Sequence, residues 1–197
     1  MKDDETLRFY AQQAQVYANR GRVAPSARLE AFLAGLPAGG DVLELGTGGG
    51  QDALTMIERG FAVSPTDGSP ELAKEAEKRL GQPVAIMLFE ELEAVDAYDG
   101  VWASASLLHA PREALTGILA RVHRALHPGG LFMASFKGGK AEGRDTFGRF
   151  YSYLDEATLR RHYEAAGNWM PLVIEVESGS GYDRQPTEWL WVTARRG

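Results

Sequence analysis

A chain of 197 residues is long enough for one domain with a substantial hydrophobic core, and 44% hydrophobic with 24% charged residues is an ordinary balance for a globular protein. Its formal charge of −6, with Lys and Arg scattered and Lys78-Arg79 set among acids, argues against nucleic-acid binding, which calls for a basic patch. No cysteine is present to form a disulfide, a thiolate metal site or a thiol nucleophile, no apolar run reaches the ~18 residues of a membrane span, and the polar start at Met1 to Glu5 is not a secretion segment. The expectation is therefore a cytoplasmic protein without a membrane or nucleic-acid partner.

Leu7, Tyr10, Ala14 and Tyr17 recur at spacings of three and four, which predicts a helix over 3–20. A second helix is expected over 25–36, with Ser26 near its start. Asp41 to Leu45 reads as a buried strand ended by glycines, and residues 51–59 as the returning helix, with Gly60 at its left-handed end. The rhythm then repeats. A short strand over 61–63 precedes a helix over 70–80, capped by Ser69 with Pro70 in its first position. Strands follow over 84–88 and 98–103, then a helix over 111–126, which Pro128-Gly129-Gly130 stops and turns into a fifth strand over 131–136. Alternating strands and helices imply a mainly parallel sheet covered on both faces.

The end of the chain breaks this pattern. After a helix over 156–166, apolar runs at 172–176 and 189–193 are separated only by the loop 179–186, too short for a crossover helix, so these strands must pair antiparallel.

Glu44-Leu-Gly46-Thr47-Gly48-Gly-Gly50 lies between a predicted strand and a predicted helix, where nucleotide-like ligands bind in doubly wound sheets. Alone, such a loop is a weak signal, since a tight turn with no ligand also uses it. Asp67, roughly 20 residues further on after the second strand, sits where a carboxylate accepts ribose hydroxyls, although Asp67-Gly68-Ser69 is also good turn chemistry.

In order and spacing, four segments resemble class I S-adenosylmethionine (SAM)-dependent methyltransferases. They are Glu44-x-Gly46-x-Gly48-x-Gly50, Asp67-Gly-Ser-Pro70, Tyr98-Asp-Gly-Val-Trp102 and Leu126-His-Pro-Gly-Gly-Leu131, and with the terminal hairpin they cover roughly residues 40–195. The resemblance implies a Rossmann-like α/β fold, with a seven-stranded sheet ordered 3-2-1-4-5-7-6 and strand seven antiparallel. It implies one domain over 1–197: helices able to act as a lid in 1–36, a cofactor-binding core in 41–136, and a substrate-side loop, helix and hairpin in 137–197. It further implies SAM as cofactor, S-adenosylhomocysteine (SAH) as product, and roles by position. Gly46, Thr47 and Gly48 form the loop at the methionine part, Glu44 orders that loop, and Asp67 holds the ribose. Gly68, Ser69, Phe89 and Glu90 lie near the adenine, and Ser104 faces the methionine moiety or the methyl group. Two departures stand out: Pro65 breaks the second strand's ladder and should shorten it, and the loop after strand three lacks the usual Gly-Asp pair.

SAM brings an activated methyl group, so a catalytic base is not obligatory. His109, in the segment after strand four, is the candidate base, with a packing role weighed equally against it. His123, His127 and His162 share no ligand spacing, and no metal is expected. Tyr10 and Tyr17 of the first helix are candidates to line the acceptor site. So are Arg149 and Tyr151, in a loop rich in aromatic and cationic groups that suits an aromatic or anionic substrate, although an aromatic stripe is more often core. The small size favours a small-molecule methyl acceptor. Three other readings compete. A nicotinamide-dependent oxidoreductase would need a third glycine where Gln51 stands. A non-catalytic SAM or SAH sensor or scaffold would share the cofactor motifs. A nucleic-acid methyltransferase would carry Asn/Asp-Pro-Pro-Tyr/Phe where Ser104-Ala-Ser-Leu107 lies.

Overall fold

The computed structural model describes residues 3–20 and 26–197. In chain order the elements are α1 (Asp4–Ala18), α2 (Ala27–Ala34), β1 (Asp41–Leu45), α3 (Gln51–Glu58), β2 (Ala62–Asp67), α4 (Pro70–Leu80), β3 (Ala85–Ile86), β4 (Tyr98–Ala103) and α5 (Arg112–Ala125). Then come β5 (Leu126–Lys137), β6 (Glu142–Arg144), β7 (Phe150–Ser152), α6 (Glu156–Ala166), β8 (Trp169–Ser180) and β9 (Pro186–Arg196). Side-chain oxygens start the helices where the sequence offers them: Asp3 accepts from Thr6 N–H, Ser26 from Leu29, Ser69 from Leu72 and Asp155 from Thr158. Pro25, expected at the start of α2, lies outside the described residues.

Seven strands form one sheet, ordered β3-β2-β1-β4-β5-β9-β8, and β6 with β7 form a separate ribbon. Without the ribbon this is the expected order 3-2-1-4-5-7-6, with β9 antiparallel to both β5 and β8. Alternation along the strands feeds two cores. On one face Leu43, Val101, Phe132 and Val192 pack with α5 and α6, with Leu119 and Tyr163 fully buried. On the other face Val42, Trp102 and Met133 pack with Leu29 and Phe32 of α2 and Met56 of α3.

The structure corrects several strand expectations. β2 is not shortened by Pro65 but runs to Asp67, pairing Glu44 with Pro65 and Leu45 with Thr66. Thr66 directs its carbonyl at the β1 side, where Gly46 and Thr47 donate to it, so the neighbouring Pro65 presents its missing donor to the other side. There β3 pairs only from Thr66 onward, so no ladder bond is lost. β3 itself keeps only Ala85 and Ile86 of its five expected residues, although Met87 N still donates to Asp67 O of β2 at 3.0 Å. β5 begins at Leu126, ahead of Pro128, through a bulged pairing with Tyr98. The β6–β7 ribbon was not expected at all.

Candidate functional site

The C-terminal ends of β1, β2 and β4 open into a cleft roofed by α1. A position outside the carboxyl ends of the strands is where open α/β sheets bind ligands.

Its floor is backbone. Gly46 and Gly48 adopt left-handed φ of 77° and 57°. A Cβ on Gly46 would fall 2.5 Å from Ser106 Cβ, so only glycine fits. Thr66 O ties the loop to β2 by accepting from Gly46 N at 3.0 Å and Thr47 N at 2.8 Å. The buried Thr47 hydroxyl donates to Glu44, itself 3% exposed, so neither residue lines the cleft: they brace the loop from below.

Asp67 closes β2 at the cleft. Its Oδ2 accepts from Gly48 N and its Oδ1 from Ser69 N, both at 2.8 Å. A carboxylate has about four acceptor positions, so roughly two remain for a ligand. Burial raises its pKa to about 6, against the opposing pull of the Ser69 and Gly48 hydrogen bonds. The Ser69 hydroxyl is taken up by the α4 cap, so Ser69 serves the site through its N–H. Gly68, Phe89 and Glu90 line the cleft beyond Asp67, Phe89 and Glu90 in a short 3₁₀ turn after β3.

The turn after β4 supplies the opposite wall, with Ser104, Ala105 and Ser106 all at the cleft. Ala105 holds a φ of 52°, a costly conformation for a residue with a Cβ, fixed by Ala105 N donating to Ser135 Oγ at 2.8 Å. The buried hydroxyl of Ser106 finds no protein partner.

His109 ends this turn and reaches the cleft. Its Nδ1 lies 2.6 Å from the Phe150 carbonyl, which only accepts, so Nδ1 carries the hydrogen. Nε2 is then the acceptor for the Tyr10 hydroxyl at 2.9 Å. Burial, partly opposed by the Phe150 bond, lowers its pKa to about 4, so the imidazole is neutral at neutral pH.

Tyr10 belongs to α1, which is fastened along its length. Arg144 pairs with Asp3 at 2.7 Å, Phe150 N donates to Thr6 at 2.8 Å, and Arg149 Nη1 reaches the Tyr10 hydroxyl at 3.3 Å. At the other end Arg79 joins Gly49 O to Ala18 O, and Gln51 donates to Ala18 O at 3.0 Å. Gln51, the residue that breaks the dinucleotide fingerprint, thus ties the glycine loop to the roof. Tyr10 and Tyr17 both line the cleft.

Arg149 and Tyr151 do not line it. Arg149 is 1% exposed and gives Nε and Nη2 to Asp145 at 2.9 and 2.6 Å. Phe9, Tyr10, Phe147, Tyr151 and Tyr182 surround its guanidinium with centroids 4.7–5.8 Å away. Tyr151 packs on His109 with centroids 4.7 Å apart. The anionic-substrate role expected of this loop has no support in the geometry, because the guanidinium is walled in. Sequence reasoning missed Asp145, Arg79 and the Ala105–Ser135 bond. Of these only Asp145 left a signal, as the first residue of an Asp-Thr-Phe-Gly turn.

Among the described residues no group of three or more His, Asp or Glu is placed to hold a metal ion, and no helix is long and apolar enough to cross a membrane.

Residues 42–130 match the family model described as a methyltransferase domain. The order of the seven-stranded sheet is the one the resemblance to class I SAM-dependent methyltransferases implied. No curated protein sequence matches it. Among solved structures, it is similar to the Burkholderia thailandensis 1,6-didemethyltoxoflavin-N1-methyltransferase, solved with bound 1,6-didemethyltoxoflavin and SAH, at 23% identity and a TM-score of 0.71, over 98% of this chain and 87% of that one. The CcbJ methyltransferase from Streptomyces caelestis is 19% identical with a TM-score of 0.72, over 99% of this chain and 100% of the other. The [4+2]-cyclase SpnF is 17% identical with a TM-score of 0.68, over 96% and 94%. At these identities the likeness concerns the fold.

Proposed function

We propose that this methyltransferase domain binds SAM in the cleft and transfers its methyl group to a small-molecule acceptor. The observation that carries the reading is Asp67, a buried carboxylate held by two backbone donors at the cleft and left with about two free acceptor positions. That arrangement suits the paired hydroxyls of a ribose. Gly46 and Gly48 permit close approach of the methionine part, and the orphaned Ser106 hydroxyl beside Gly46 offers a polar group no protein atom uses. Ser104 faces the same end, while Gly68, Phe89 and Glu90 would border the adenine. Glu44, Thr47 and Ser69 act indirectly, by holding the loop and Asp67.

Bound SAM supplies a methyl group already activated on its sulfonium. What falls to the protein is alignment and exclusion of water, and alignment alone can contribute about 7–11 kcal/mol. The α1 roof, pinned at both ends, excludes water; Tyr10 and Tyr17 orient the acceptor beneath it. His109 is a group on the acceptor side of the cleft able to take a proton, and its low pKa keeps the imidazole unprotonated at neutral pH. Its Nε2 already receives the Tyr10 hydrogen, so any proton it takes from an acceptor passes through or displaces Tyr10.

A second reading, SAM or SAH binding without methyl transfer, draws on the similarity to a protein named a [4+2]-cyclase. Thermal unfolding with SAM, SAH, NAD and NADP tests the cofactor. At about 100 times the dissociation constant a ligand adds ~2.7 kcal/mol, a rise of roughly 5–11 °C. Stabilisation by SAM and SAH alone is expected; stabilisation by the nicotinamides alone would refute the reading. Formation of SAH from SAM in the presence of an acceptor then separates transfer from binding.

A further inference from the structure

The cleft walls also bear on what the acceptor is. This inference rests on the reading that the cleft holds SAM on the Gly46–Asp67 side, leaving the Tyr10–His109 side for the acceptor. On that side Tyr10, Tyr17, Ala105, Ala110 and Pro111 present mainly rings and aliphatic carbon, with the Tyr10–His109 pair among the polar groups. The pair is uncharged: His109 is neutral at neutral pH, and burial pushes the Tyr10 hydroxyl well above its ordinary pKa.

Among the described residues, the formal charges lining the cleft are all carboxylates, those of Asp3, Asp67 and Glu90. Asp3 is paired with Arg144, which stands outside the cleft. Two buried cations lie behind the wall and are turned from it. Arg149 is engaged by Asp145 and enclosed by five rings, and Lys137 stacks its ammonium 4.1 Å from the Tyr151 centroid. An anionic acceptor would meet no described cation lining the cleft to receive its charge, since recruiting Arg149 means displacing both Asp145 and Tyr10. A cationic acceptor would meet the sulfonium of the bound cofactor and Arg149 behind the Tyr10 ring.

We infer that the acceptor is an uncharged, mainly apolar ring compound that presents a single hydrogen-bonding group to the Tyr10–His109 pair, and that carboxylate and phosphate acceptors are refused. The ring lies among the aromatic and apolar side chains, and its hydroxyl or amino group meets the oriented Tyr10 hydroxyl, whose hydrogen already points to His109.

The test is calorimetric titration of the SAH-saturated protein with ring compounds in matched ester and acid pairs, among them methylparaben against para-hydroxybenzoate and methyl anthranilate against anthranilate. Esters are expected to bind at least about tenfold more tightly than their acids, since the acid buries an unpaired charge. Acids binding as tightly as their esters, or no ester binding to protein that does bind SAH, would overturn the inference. Failure of SAH itself to bind would instead sink the reading beneath it. Tyr10→Phe keeps the ring and removes the hydroxyl: hydroxylated esters should weaken while SAH affinity holds. Unchanged ester affinity in that variant would overturn the anchoring role of the Tyr10–His109 pair.

Discussion

The two halves of the cleft are built differently. The Gly46–Asp67 half is backbone laid out by two adjacent strands: N–H groups, left-handed glycines and one carboxylate, all within about two dozen residues of sequence. The Tyr10–His109 half is a buried relay of side chains from three distant segments: Asp145 to Arg149 in the ribbon, Arg149 to Tyr10 in α1, and Tyr10 to His109 after β4. A half made of local backbone is tolerant of its surroundings. A half made of long-range side-chain contacts stands or falls with each member.

The largest expected effect therefore lies in the second half. Asp145→Ala strands the buried Arg149 guanidinium and should cost about 3–5 kcal/mol of stability, with roughly 2–4 °C of melting temperature lost per kcal/mol. SAH affinity, measured where the variant is still folded, should stay within about threefold of wild type, because no Asp145 contact reaches the glycine loop. A parallel loss of SAH affinity would show that the halves are not separable.

This difference also explains what the sequence disclosed. The meeting of Gly46, Gly48 and Asp67 at one cleft was legible because it follows from spacing along two neighbouring strands. The antiparallel β8–β9 pair was legible because the loop between them is too short for a crossover. The β6–β7 ribbon was not, since three-residue strands carry too little periodicity to read. Nor was Arg149's confinement: its partners include Tyr10, 139 positions away, and pairing at that range leaves no local trace. Its charge therefore suggested an anion site when the structure spends that charge on Asp145. Pro65 misled for a related reason, as the harm done by a missing donor depends on which neighbour it faces.

A smaller effect sharpens the first half. With Asp67 raised to about 6, the free protein takes up a proton as pH falls through that value, whereas hydroxyl donors from a ribose favour the charged form. SAH affinity should be flat above about pH 7 and fall toward tenfold per pH unit below 6. Affinity independent of pH from neutrality to about pH 5 would place the ligand elsewhere than on this carboxylate.

The most direct test of the account is SAH titrated calorimetrically into wild type and Asp67→Asn. Asparagine keeps the shape but turns one acceptor into a donor facing Gly48 or Ser69 N–H, and hydrogen bonds to a charged group contribute about 1.5–3 kcal/mol each. The account predicts binding to wild type and at least about tenfold weaker binding to the variant, with the far-ultraviolet spectrum of the fold retained. Equal affinity in a folded variant would contradict it.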